Sequence, residues 1–121
     1  MHEYSVVQAL ITRVEAEATA RQAIAVHRLT VQVGELAGLD VELFATAFDT
    51  FREGTVCAGA TLDVERVPAR WSCRACGGAI EDGAPLQCPT CGAPARLEQG
   101  DEIILGRIEM EVPDVHDLRL R

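Results

Sequence analysis

The chain has 121 residues, of which 48% are apolar and only 4% are aromatic. This length suits one ordinary domain, or a small domain with a further module, and its core has to be aliphatic. The formal net charge of −8 argues against binding to a nucleic-acid backbone and favours cations or basic protein surfaces as partners. The sequence shows neither a run of ~20 apolar residues nor a secretory signal, so we expect a soluble, cytoplasmic protein.

Two helices are predicted in the first half of the chain. The first covers residues 5–20, where apolar residues recur at helical spacing and Ser5 and Gln8 match a capping box. The second is predicted to begin after Asp40 as its N-cap and to stop at Gly54. Its apolar face consists of Leu43, Phe44, Ala47, Phe48 and Phe51.

Three strands are predicted from the alternation of apolar and polar residues. They cover residues 27–33, 60–67 and 101–112. On the first strand, His27 shares the parity of the apolar face and is predicted to be a satisfied structural histidine. On the third strand, the apolar face is predicted to consist of four residues at even-numbered positions, namely Ile104, Ile108, Met110 and Val112. If the second and third strands pair as a hairpin, the residues between them form an insertion at its tip.

The stretch between those two strands is rich in Gly, Pro, Ala and Cys and has no core of its own to bury. It contains two Cys-x-x-Cys-Gly sequences, which we call the knuckles. The two-residue spacer lets both sulfurs of a pair reach one ion, and the following glycine takes a positive φ easily. The knuckles predict a tetrahedral site for structural zinc, which would hold the module together. Its ligands would be Cys73, Cys76, Cys88 and Cys91.

Alternatives to zinc use the same four cysteines. Two disulfides would require an oxidising compartment. A thioredoxin-like redox pair would need a helix start that activates a thiolate, and the Gly- and Pro-rich knuckles offer none. Iron in a rubredoxin-like site accepts the same all-sulfur ligands, so it stays an alternative. The fifth cysteine, Cys57, is predicted to be a small buried hydrophobic residue and not a ligand.

The first three residues, Met1, His2 and Glu3, form a second candidate metal site. The bulk of His2 should hinder removal of Met1, so the α-amino group, the backbone nitrogen of His2 and its imidazole can chelate one ion. Such nitrogens suit square-planar Ni(II) or Cu(II) better than zinc. Glu3 would add a carboxylate or orient the imidazole. The alternative is an ordinary exposed histidine without a function, which is the prediction for His116.

Three features in this order resemble the HypA/HybF family. They are Met-His-Glu at the start, the sequence Val-Gly-Glu-Leu-Ala-Gly-Leu at residues 33–39, and the two knuckles. The resemblance extends from Met1 to about Val112 and includes the last predicted strand. Some family members carry a histidine in or beside the zinc motifs, whereas this chain has Ser72 before the first knuckle.

The resemblance implies a nickel-insertion protein of [NiFe]-hydrogenase maturation. It places nickel at Met1, His2 and Glu3 and structural zinc at the four knuckle cysteines. The partners that it implies are the GTPase HypB and the hydrogenase large-subunit precursor, and for some members the urease maturation proteins.

The predicted fold is α+β, with two helices packed on a small three-stranded sheet and an inserted zinc-ribbon-like module of four cysteines. Residues 1–69 and 99–121 are expected to form the nickel-binding domain, and residues 70–98 the zinc-binding domain. No catalytic triad, paired carboxylates or phosphate-binding loop stands out, so we predict no enzymatic activity. The alternative function is a zinc-ribbon module that binds proteins or nucleic acid, which would need more arginine or lysine around the knuckles.

Overall fold

The computed structural model describes residues 3–81 and 85–113. Within them the chain forms two helices and six strands, and neither helix is long and apolar enough to cross a membrane. In chain order the elements are α1 (Glu3–Ala20), β1 (Ala25–Gly34), α2 (Val41–Phe51), β2 (Thr61–Val67), β3 (Arg70–Cys73), β4 (Ala79–Ile80), β5 (Ala95–Gln99) and β6 (Ile103–Glu111). The predicted α+β fold with a four-cysteine module is confirmed.

The larger sheet has the strand order β2-β1-β6. β2 pairs with β1 in parallel, and β6 pairs with β1 in antiparallel orientation. A parallel pair needs a crossover connection, and α2 supplies it. The predicted hairpin of the second and third long strands is wrong, because β1 lies between β2 and β6.

The core lies between the two helices and one face of this sheet. It is aliphatic apart from Phe44, Phe48 and Cys57, in agreement with the composition. Cys57 is fully buried in it, which confirms the prediction for this residue. The largest fully buried side chains of the core belong to Val7, Val14, Leu29, Val31, Phe44 and Phe48.

One helix start agrees with the sequence prediction and the other does not. Asp40 caps α2, since its carboxylate accepts a hydrogen bond of 3.1 Å from the backbone N–H of Leu43. α1 already begins at Glu3, so Ser5 is a helical residue. The predicted capping box of Ser5 and Gln8 is therefore wrong.

A bulge in β1 changes the environment of His27. The pairing skips from Val26 to Arg28, so two residues of β1 oppose one of β6 and the alternation shifts by one. Val26 is buried as a result, whereas the His27 side chain is 59% exposed. The prediction of His27 on the apolar face is wrong. Its Nε2 instead lies 3.0 Å from the carboxylate of Glu111, at the surface.

A second bulge changes the inward parity of β6. Gly106 is the extra residue, because Thr30 and Val31 are paired with Arg107 and Leu105. The inward residues are consequently Ile103, Leu105, Ile108 and Met110, which all pack against the core. Ile104 and Val112 are 43% and 47% exposed, so their predicted inward orientation is wrong.

The smaller sheet has the order β4-β3-β5, and the two connections to it lie close together at the end of β1. Gly34 packs so closely against Gly100 that a Cβ on Gly34 would lie 2.3 Å from the Gly100 carbonyl. The backbone N–H of Leu36 donates to the Gly100 carbonyl over 2.6 Å. On the other connection, the N–H of Ala69 donates to the Glu35 carboxylate over 2.8 Å. The Val-Gly-Glu-Leu sequence therefore holds both connections together.

Candidate metal centre

The two knuckles adopt the same turn. The first begins at Cys73, where β3 ends, and the second begins at Cys88. In each, the glycine after the second cysteine has a positive φ, 75° at Gly77 and 73° at Gly92. The backbone N–H of that glycine donates to the carbonyl of the first cysteine, over 3.0 Å and 2.9 Å respectively. Glycine is required here because other residues adopt this backbone conformation at a cost.

The turns bring the sulfur atoms of both knuckles together. All four Sγ atoms lie within 4.8 Å of one another. The Sγ atoms of Cys73 and Cys91 are 3.2 Å apart, and those of Cys76 and Cys88 are 3.8 Å apart. Zinc binds cysteine sulfur tetrahedrally at ~2.3 Å, which separates neighbouring sulfurs by ~3.8 Å. The four thiols therefore fit one tetrahedral ion, whereas a disulfide would need sulfurs ~2.05 Å apart.

Backbone N–H groups favour the thiolate form of the first cysteine in each knuckle. The N–H of Cys76 lies 3.4 Å from the Sγ of Cys73 and is the main reason that the pKa of Cys73 falls to about 6. The N–H of Cys91 in the same way lowers the pKa of Cys88. The thiolate is the form that binds metals, so both turns prepare a ligand.

The second cysteine of each knuckle keeps its proton in the absence of a cation. The backbone N–H of Ala93 lowers the pKa of Cys91, but hydrogen bonds with the thiols of Cys73 and Cys88 outweigh it and raise the pKa to about 12. The pKa of Cys76 is raised in the same manner. Four neighbouring thiolates repel one another, and a divalent cation removes this repulsion and displaces the remaining protons.

A polar contact next to the cysteines joins β3 to β5. The buried hydroxyl of Ser72 donates to the Glu98 carboxylate, which also accepts a hydrogen bond of 2.9 Å from Arg96. These two contacts lower the pKa of Glu98. Sequence reasoning missed this support for the site. The only sequence signal for it is a hydroxyl residue directly before a ligand and a carboxylate on the strand that returns.

The amino-terminal candidate site is described in part. Met1 and His2 lie outside the described residues, and Glu3 is the first residue of α1. The Glu3 carboxylate accepts a hydrogen bond of 3.1 Å from the backbone N–H of Asp40, the N-cap of α2. The ring of Tyr4 packs edge-on against Phe51, with ring centroids 5.4 Å apart. Both contacts anchor the first turn of α1 to α2, which the sequence did not predict.

Cys57 is separate from the metal-ligand candidates. It is fully buried, and burial is the main reason that its pKa is raised to about 11. The backbone N–H of Cys57 is bonded to the Thr55 hydroxyl. Such a thiol is protonated and inert at neutral pH.

A family model described as "Hydrogenase/urease nickel incorporation, metallochaperone, hypA" matches residues 1–110. This chain belongs to the HypA family. The hydrogenase maturation factor HypA of Nitrosospira multiformis is 38% identical over 112 residues, which cover 91% of this chain and 97% of that protein. The factor of the same name from Aquifex aeolicus is 36% identical over 114 residues, which cover 93% and 99%.

Solved HypA structures have the same fold. The solution structure of the Ni metallochaperone HypA from Helicobacter pylori matches with a TM-score of 0.72 and 36% identity, over 93% of this chain and all of that one. A second structure, described as the solution structure of HypA protein, matches with a TM-score of 0.77, also at 36% identity, over 93% and 98%. The predicted family is thus confirmed, and the chain is a member of a hydrogenase maturation and nickel metallochaperone family.

Proposed function

We propose that this HypA family member is a metallochaperone that binds Ni(II) at Met1, His2 and Glu3 and delivers it to the [NiFe]-hydrogenase large-subunit precursor. The observation that supports this most strongly is that the match to a nickel-incorporation family begins at residue 1. An α-amine, a backbone amide and an imidazole are suited to planar Ni(II). A carrier has to release its ion, and a partner can displace the ligands of a chain terminus one at a time. We also propose that the protein is not an enzyme.

The contacts of Glu3 and Tyr4 support a terminus that is held in place. Fixing one backbone residue costs roughly 1–2 kcal/mol of conformational entropy. The Glu3–Asp40 hydrogen bond and the Tyr4–Phe51 packing fix the turn directly after His2. A chelating terminus on this turn therefore loses less entropy when it binds an ion. Glu3 would therefore anchor the terminus in addition to being a candidate nickel ligand.

We propose that Cys73, Cys76, Cys88 and Cys91 hold a structural zinc ion. Their sulfur spacing and the lowered pKa of the first cysteine in each knuckle support this proposal. Zinc in such sites contributes ~10–16 kcal/mol, which is comparable to the stability of a whole small domain. Iron remains the alternative ion for the same ligands, and metal analysis of the purified protein distinguishes the two.

The domain boundaries, partners and location are also proposals. Residues 1–69 and 99–121 would form the nickel-binding domain and residues 70–98 the zinc-binding domain, which is supported by the pairing of Arg70 with Gln99 at the base of the smaller sheet. The partners would be the GTPase HypB and the large-subunit precursor, with urease maturation proteins as further candidates, in the cytoplasm. The family match favours this function over a nucleic-acid-binding zinc ribbon. The pairing of Arg96 with Glu98 also favours it, because the carboxylate offsets the positive charge that a nucleic acid would need near the knuckles.

The test is a titration with Ni(II), followed by calorimetry and visible absorbance, on protein with an untagged amino terminus. Wild-type protein should develop the d–d band of planar Ni(II), and His2→Ala should lose it. His27→Ala is the matched control, because this exposed histidine lies on β1 and should leave the band unchanged. An unchanged band in His2→Ala would show that nickel binds elsewhere.

The two roles of Glu3 can be separated with two variants. Glu3→Gln keeps an acceptor for the Asp40 N–H but removes the charge, and Glu3→Ala removes both. If Glu3 is mainly an anchor, the glutamine variant retains nickel affinity and the alanine variant loses part of it. If both variants lose affinity equally, the carboxylate acts as a ligand or charge.

A further inference from the structure

A groove runs between α1 and the outer edge of β6. One wall is formed by Arg13 and Glu17 of α1 and by Arg21, which directly follows α1; they recur at intervals of four residues. The other wall is formed by the consecutive β6 residues 105–108. These residues include the bulge at Gly106, where the regular alternation of side chains between the two faces is interrupted. Within the described residues, β6 is an edge strand of the larger sheet, so its outer backbone edge can pair with one more strand.

The groove continues into an apolar cavity at the beginning of β6. This cavity has a volume of about 460 Å³. Val6 and Leu10 of α1, Phe44 of α2 and Ile103 of β6 line it. Leu105 and Arg13 line both parts, so the cavity adjoins the groove at these two side chains. This end is suited to an apolar side chain of a partner.

The opposite end of the groove is basic. The side chains of Arg13, Arg21 and Arg107 are 67%, 59% and 71% exposed. Among the residues that the structure describes, Glu17 is the one acidic residue that lines either part of the groove. It lies between Arg13 and Arg21 and pairs with both. Arg107 also pairs with Glu109, which does not line the groove. The groove lining itself carries three arginines and one glutamate, on a chain whose formal net charge is −8.

The two ends have a fixed order along β6. Ser5 of α1 and Ile103 of β6 line the apolar cavity, whereas Arg21 and Met110 line the basic end. α1 and β6 therefore run in the same direction along the groove. A strand that entered antiparallel to β6 would meet the arginines with its first residues and the apolar cavity with its last.

We propose that this groove binds an extended segment of a partner protein, acidic at its beginning and apolar at its end, as an additional strand antiparallel to β6. Backbone hydrogen bonds to a strand edge supply affinity, and a side-chain pocket supplies specificity. Antiparallel pairing is the slightly more stable arrangement. The arginines attract the acidic residues, and their exposure makes this contribution dependent on salt.

The test uses a synthetic peptide, acetyl-Asp-Glu-Thr-Asp-Thr-Val-Thr-Leu-Thr-Phe-amide, and a control peptide with the same residues in reverse order. Binding to the full chain is measured by fluorescence polarisation, and the site is mapped from NMR shifts of backbone amides. The forward peptide should bind more tightly than the reversed one. Its shifts should concentrate on residues 103–111 and on the facing side of α1.

Charge variants test the basic end. The double variant Arg21→Glu with Arg107→Glu should weaken binding of the forward peptide about tenfold, since reversing each exposed charge costs a modest amount. Arg66→Glu is the matched control, because this exposed arginine lies on β2 at the opposite edge of the same sheet. It should leave the affinity unchanged, and circular dichroism verifies that all variants are folded.

Four results would overturn the proposal. The double variant could bind like the Arg66→Glu control, or both peptides could bind equally. Truncation after Pro113 could raise the peptide affinity tenfold, which would assign the groove to residues 114–121 of the chain itself. Sedimentation could instead reveal a dimer that the double variant dissociates, which would assign the groove to a second copy.

Discussion

Replacement of Gly34 by alanine should strongly destabilise the protein where the two sheet connections lie close together. The added Cβ would lie 2.3 Å from both the carbonyl carbon and the carbonyl oxygen of Gly100, and 2.7 Å from the nitrogen of Asp101. Observed Cβ contacts of this kind are almost never shorter than 3.0 Å. All three atoms belong to the backbone, so no flexible side chain can move aside. The connection itself would have to shift.

The shift would weaken hydrogen bonds that cross the same place. The backbone N–H of Gly34 donates to the Glu102 carbonyl over 2.8 Å, and that of Leu36 donates to the Gly100 carbonyl over 2.6 Å. Overpacking costs about 1–3 kcal/mol, and each weakened hydrogen bond costs about 0.5–1.5 kcal/mol. We therefore expect a loss of about 2–6 kcal/mol in the free energy of unfolding. For a chain of this length the lower end of that range corresponds to a decrease in Tm of roughly 10 °C.

Urea and thermal unfolding of metal-loaded protein, followed by circular dichroism, measure this loss. Gly59→Ala is the matched control, because a Cβ there meets nothing within 4 Å and its backbone φ is ordinary. It should be neutral or stabilise the protein by about 0.4–1 kcal/mol. If Gly34→Ala unfolded at the same urea concentration as wild type, the close packing of Gly34 against Gly100 would be refuted.

Three further predictions concern single side chains. Asp40→Ala should cost about 1 kcal/mol of stability in urea unfolding and Asp40→Asn much less, because asparagine also caps the N–H of Leu43. Cys57 should resist alkylation in native, metal-loaded protein at pH 8 and react only after unfolding, since burial raises its pKa to about 11; rapid modification would contradict this. The Ser72 hydroxyl is the main cause that lowers the pKa of Glu98 in the folded protein. The stabilisation that this hydrogen bond gives is complete at pH values above the pKa of Glu98 in the unfolded chain, and it is lost as the pH falls through the lower pKa of Glu98 in the folded protein. The difference in unfolding free energy between wild type and Ser72→Ala should therefore be larger at pH 7 than at pH 3, and a constant difference would argue against this role.

Local sequence patterns predicted most of the elements. The helical spacing of residues 5–20 and the alternation of residues 27–33 reappear as α1 and β1, and Asp40 caps α2 as expected. The knuckles could be predicted as well, because the spacing Cys-x-x-Cys-Gly specifies a turn within five neighbouring residues. These features depend on contacts between residues close in the chain, which is why the sequence reveals them.

The errors arose where a distant strand determines the environment. The orientations of His27 and Ile104 were predicted from strict alternation, but bulges at His27 and Gly106 shift it. A bulge depends on the pairing of β1 with β6, whose residues lie far apart in the chain. The apolar and polar pattern of either strand alone therefore does not reveal the bulge.

The family, the four-cysteine cluster and an aliphatic core with two helices can all be inferred from the amino-acid sequence alone. The position of β1 between β2 and β6, the hydrogen bond of Glu3 with Asp40, and the groove between α1 and β6 are visible only in the folded molecule. Strand order and such contacts depend on backbone hydrogen bonds and on packing between segments that are distant in the chain. Backbone groups are the same in nearly every residue, so the sequence carries little local record of which segments they join.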